Sequence, residues 1–144
     1  CYRVCSYVIL KEKQTGKDFV VFNTHLDHIS DEARINGIRV VLDKIAQFGG
    51  KPSIIMGDFN AKENSETYKM ATENFNDAKY LTDNPDNSCT YQNFGKALDR
   101  SCIDYFMVSK TGVTAQSFEI VKNTYDGVYP SDHFPIAVTL TLTD

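Results

Sequence analysis

A mixed α/β fold is what the sequence predicts, on three observations. Short apolar runs rich in β-branched and aromatic residues ("CYRVCSYVIL", "FVVFNTHL", "KPSIIMGDFN", "CIDYFMVS") read as strands. Between the second and third of them, Ile35, Ile38, Leu42 and Ile45 recur at the spacing of one helix face. Near the C-terminus, Ile136, Val138, Leu140 and Leu142 alternate with Thr139, Thr141 and Thr143, the period of a half-buried strand.

Taken in order, residues 2–26 read as a hairpin of two strands around the polar stretch "KEKQTGKD" with Gly16. Ser30 is placed to cap a helix, Asp31 and Glu32 suit its positive N-terminal end, and Gly49-Gly50 stops it. "KPSIIMGDFN" is a buried strand halted at Gly57, and a second helix is expected from Ser65 to about Phe75. Residues 82–100 are polar, with Pro85, Gly95 and several Asn and Asp, and read as a long loop. "CIDYFMVS" and "VTAQSFEIVKN" then read as strands, "NTYDGVYPSDH" as a loop, and the alternating segment as the last strand. No internal repeat or low-complexity segment interrupts the chain.

At 144 residues the length suits one domain, taken as 1–144. Hydrophobic residues make up 42% and charged residues 24%, the balance of a globular chain, and no apolar run approaches the roughly 20 residues of a membrane-spanning helix. The net charge of −4 argues against a protein that grips nucleic acid mainly by neutralising phosphates. It leaves open catalysis on a phosphate ester, where a bound cation supplies positive charge. The four cysteines (Cys1, Cys5, Cys89, Cys102) have no zinc-like spacing, and buried or idle thiols, as in a reducing cytosol, are expected over disulfides. A chain opening on Cys1 reads as a piece of a longer one.

Four stretches, "NTHLDH", "GDFN", "IDYF" and "SDHFP", each put polar side chains at the edge of an apolar strand. Strands converging on one rim of a sheet would gather His25, Asp58, Asn60, Asp104, Asp132 and His133. Carboxylates with imidazole and amide, and no Ser or Cys nucleophile among them, suit metal-assisted hydrolysis better than covalent acyl transfer. Each residue also has a plain structural reading. Asp58 and Asn60 can close an Asx turn, His25 can be a hydrogen-bonded structural histidine, and Asp132-His133 can simply turn the chain into the last strand. Asp104, lying between Ile103 and Tyr105 in an apolar strand, needs a partner in either case.

In that order the four motifs resemble the C-terminal half of the endonuclease/exonuclease/phosphatase superfamily, across nearly the whole chain from Tyr2. The resemblance implies half of a four-layer α/β/β/α sandwich, with a mostly antiparallel or mixed sheet and flanking helices. It further implies phosphoester hydrolysis by water attack with Mg²⁺ or Mn²⁺. Asp132 would bind the metal and His133 would be the general base or orient the phosphate. Asp104 would hold His133, Asp58 would orient the water, and Asn60 and His25 would contact the phosphate. Asp27, directly after "THL", reads equally well as a structural hydrogen-bonding group. Tyr91 and Asn93, in the long loop, are candidates for contact with substrate. The family's "QE"-type metal motif and its upstream Asn find no counterpart here. The chain alone is therefore expected to be a poor enzyme that needs a preceding segment or a second chain to complete the sandwich. The alternative is a binding or scaffold module that keeps the fold without the chemistry.

Overall fold

The computed structural model describes residues 2–98 and 101–143; Cys1 and the last two residues of the predicted loop lie outside them. Strands β1 (Cys5–Lys11) and β2 (Asp18–His25) form the expected hairpin, paired from Cys5 with Thr24 to Lys11 with Asp18. Its turn is tied by Glu12, whose backbone pairs with Lys17 and whose carboxylate accepts from the Gln14 and Thr15 amides. Helix α1 (Asp31–Ala46) then carries the chain to β3 (Ser53–Asp58), which runs parallel to β2. The predicted N-cap is in place, Ser30 accepting from the Ala33 amide, and Ser65 likewise accepts from the Tyr68 amide to cap α2 (Glu66–Asn74).

The predicted second helix ends one residue early, because Phe75 turns extended and opens a three-residue strand, β4 (Phe75–Asp77), followed by a short 3₁₀ turn. β5 (Asp104–Ser109) pairs antiparallel with both β3 and β4, giving a five-stranded mixed sheet in the order β1-β2-β3-β5-β4. β6 (Val113–Ile120) and β7 (Ile136–Leu142) form a separate antiparallel ribbon. The long segment before β5 contains no helix or strand among its described residues.

Strand alternation sends side chains to two faces, and each face has its own core. Val20, Phe22, Ile55, Tyr105 and Met107 meet Ile38 and Val41 of α1 and Ala71 of α2. On the opposite face Ile54 and Val108 meet Val113 and Ala115 of the ribbon, with Phe106, Val138 and Leu140 packed around them. Burying a side chain the size of Phe22 contributes roughly 2–3 kcal/mol relative to leaving it in water, and Phe22 is 1% exposed. β1 is the edge strand of the sheet. Its apolar run is exposed on both faces, with Tyr7, Val8, Ile9 and Leu10 each more than 40% accessible, because an edge strand lacks a neighbour on one side. Cys5 is exposed and free, while Cys89 and Cys102 are half-buried and free.

Candidate active site

The register of the main sheet assembles the site. His25 is the Cα partner of Asp58 across the parallel β2–β3 pair, and Asp58 is the partner of Asp104 across β3–β5. Three polar residues thus stand in one row across three adjacent strands, about 5 Å apart from strand to strand. Two residues inward from the rim the row is Asn23, Met56 and Phe106, and two further inward it is Val21, Ile54 and Val108. The face facing the ribbon therefore passes from apolar interior to polar rim within a few residues. Gly57 makes the close approach of β2 and β3 possible: its φ is +131°, and a Cβ there would sit 1.9 Å from the Thr24 carbonyl oxygen.

His133 joins the row from the segment before β7. Its Nδ1 is 2.8 Å from Asp104 Oδ2, and its Nε2 is 3.9 Å from Asp58 Oδ2. From the other side, His25 Nε2 is 3.3 Å from the same Asp58 oxygen. The His133, Asp104 and Asp58 side chains retain only 24%, 16% and 14% of their exposure, whereas His25 keeps 58%. Burial raises the Asp58 pKa, and the nearby Asp104 charge adds to this; the Asn60 amide and the two imidazoles pull the other way without cancelling it. Burial also opposes the His133 imidazolium, but the Asp104 hydrogen bond and the charges of Asp104, Asp58 and Asp132 outweigh it, so the His133 pKa lies above its ordinary value.

Asp58 and Asn60 show that a structural role and a place in the site can coexist. The Asn60 amide donates to Asp58 Oδ1 at 2.7 Å, closing the Asx turn, and Asn60 adopts φ +49°, a conformation that Asn tolerates well. The Asn60 side-chain amide donates to the Leu26 carbonyl at 3.0 Å, and the residue still lines the cleft. That cleft, about 550 Å³, is bordered by Arg3, His25, His28, Asp58, Asn60, Tyr91, Asp132 and His133, among others. The fold thus brings all six rim residues together. Asp132 lines the cleft but stands outside the tight cluster of ligand-type atoms, which consists of Asp58, Asp104 and His133 among the described residues. Of the two loop candidates, Tyr91 sets its ring edge-on to His133 at 5.2 Å, whereas Asn93 is exposed on a turn and meets Asp132 through its backbone amide.

Several neighbours of the site were not evident from sequence. Arg3 donates to His28 Nδ1 at 2.8 Å, and both border the cleft. Thr90 and Gln92 are 0% and 4% exposed within a loop whose polar composition gives no sign of burial. Asp27 is structural: its Oδ1 accepts from the Ile29 and Ser30 amides at 2.8 Å, and these bonds hold its pKa down to about 2.

The layered mixed sheet with helices on one face is a DNase I-like α/β fold. The Endonuclease/Exonuclease/phosphatase family model matches residues 4–133, and the chain belongs to that family. It is similar to a functionally unknown conserved protein from Enterococcus faecalis V583, with 33% identity and a TM-score of 0.88 over 96% of this chain and 56% of that one. It is similar also to the mannosyl-6-phosphatase of Bacteroides thetaiotaomicron, at 30% identity and TM-score 0.85, covering 97% of this chain and 57% of that one. A family protein from Bacteroides vulgatus gives 31% identity and TM-score 0.88, over 99% and 57%. The chain thus spans a little over half the length of these solved structures. No curated protein matches it.

Proposed function

We propose that this chain carries the proton-handling part of a divalent-metal-dependent phosphoesterase, which cleaves a phosphodiester or phosphomonoester by attack of water. The observation that carries the reading is the His133–Asp104 pair at 2.8 Å, set beside Asp58 in an open cleft. The family and the phosphatase named among its structural neighbours support it.

The carboxylate accepts, so Nδ1 of His133 carries the hydrogen and Nε2 presents its lone pair, which is the arrangement of a general base. Asp104 fixes that tautomer and favours the charged imidazolium once the proton is taken. Asp58, between the two histidines, orients the attacking water. The exposed His25 and the amide of Asn60 meet the phosphoryl oxygens as negative charge builds on them.

The oxygen-rich acids of the cleft suit a hard cation, and the burial of Asp58 next to Asp104 concentrates negative charge that such a cation relieves. Asp132 would hold Mg²⁺ or Mn²⁺ and, when bound, the ion would polarise a phosphoryl oxygen. One metal carboxylate is few, so activity of this chain by itself is expected to be low. The part of the relatives that it does not span, or a second chain, would supply the rest and cover the exposed face of β1.

The test is hydrolysis of a generic phosphodiester and a sugar phosphate with Mg²⁺, by a chain extended to the relatives' length. His133→Ala and Asp58→Ala are each expected to lower kcat by about 10²-fold or more. Full activity in both variants would rule out the site.

A further inference from the structure

Asp104 and His133 come from segments 29 residues apart in sequence, and one buried residue between them touches the backbone of both. Thr90 has no exposed surface. Its hydroxyl oxygen accepts from the amides of Ile103 at 3.1 Å and Asp104 at 3.2 Å, and its own hydrogen points to the Ser101 carbonyl at 3.4 Å. Its amide donates to the same Ser101 carbonyl at 3.0 Å. Its carbonyl accepts from the Phe134 amide at 2.7 Å, directly after His133. Ile103 and Asp104 are where the chain enters β5, and the Ile103 carbonyl is already taken by the Phe59 amide at 2.8 Å. Without the hydroxyl, the Ile103 and Asp104 amides lose this acceptor at the point where the carboxylate must be aimed.

We infer that Thr90 is a positioning residue, whose hydroxyl and carbonyl together fix the separation of Asp104 and His133. The inference rests on the reading of that pair as the base of the reaction. Thr90 hydrogen-bonds to neither the imidazole nor the carboxylate; it acts on the backbone that carries each. Valine copies its shape and removes the hydroxyl, whereas serine keeps the hydroxyl and removes the methyl. A role in aiming therefore separates from a role in packing.

The experiment labels the histidine nitrogens and follows the downfield Nδ1–H resonance of His133 in this chain, assigned by its loss in Asp104→Asn. Thr90→Ser is expected to retain that resonance, and Thr90→Val to lose it or broaden it by faster exchange with water, while the other amide signals keep their dispersion. An unchanged resonance in a folded Thr90→Val protein overturns the inference. Should Thr90→Val not fold, Thr90→Ala against Thr90→Ser makes the same comparison, since both lack the methyl. If neither Val nor Ala folds while Ser does, the residue belongs to stability alone and the inference falls.

In the extended, metal-loaded chain, Thr90→Val is expected to lower kcat by about 10–100-fold with KM nearly unchanged, and Thr90→Ser to restore most of it. The resonance and the rate report separately. A resonance that follows the hydroxyl in a protein that hydrolyses no phosphoester leaves Thr90 in place and removes the phosphoesterase reading instead.

Discussion

Gly57 shows how much of the site hangs on one backbone position. With φ +131° and no room for a Cβ beside the Thr24 carbonyl, it permits the pairing that sets His25 next to Asp58. Gly57→Ala is expected to destabilise the protein by about 2–4 kcal/mol, combining backbone strain with a clash that only strand movement relieves. Urea unfolding followed by circular dichroism measures it, and a loss under 1 kcal/mol would show that the strands can part cheaply. At this scale the sequence is legible where a residue contradicts its surroundings. His25, Asp58 and Asp104 interrupt apolar strands, so their polarity carries information. Thr90 and Gln92 lie in a segment already rich in Asn and Asp, where one more polar residue gives no contrast, though the fold buries both.

Among the elements, the entry to α1 is the best specified by sequence and is also sensitive to acid. Ser30 caps the helix, and Asp27 accepts the Ser30 and Ile29 amides just ahead of it. Ser30→Ala is expected to cost about 1 kcal/mol in chemical denaturation. Asp27 in the folded protein titrates near 2, below the ordinary carboxylate value. Its contribution is therefore fully present above about pH 4 and is lost as pH falls through the folded value. Asp27→Asn is expected to flatten that part of the stability–pH curve between about pH 4 and 2, and a curve parallel to the wild type would show that Asp27 contributes nothing there. Helix α1 is readable because its cap and its apolar spacing agree over several turns. β4 is not, since three residues are too few to show a period and only its pairing with β5 makes it a strand.

Over the whole molecule, the same residue type has opposite worth on different strands. Val108 is fully buried between the main sheet and the ribbon, whereas Val8 on β1 is 48% exposed. Val108→Ala is expected to cost about 2 kcal/mol or more and Val8→Ala less than about 0.5. Equal effects in thermal or urea unfolding would mean that β1 is covered in solution, and the mass of the protein by light scattering would then show a second copy. Sequence could not separate the two, because periodicity marks a side chain as apolar but does not say which layer arrives to cover it.

The row of His25, Asp58 and Asp104 also guards the folding of the sheet. Sliding β3 by a single residue against its neighbours would swing Asp58 toward α1 and α2, burying a carboxylate among Phe22, Ile38 and Met107, and would bring Phe59 out to the rim. Misaligned strands are thus penalised by the same charges to which the proposed chemistry is assigned, and a chain that completes the sheet has already aligned that row.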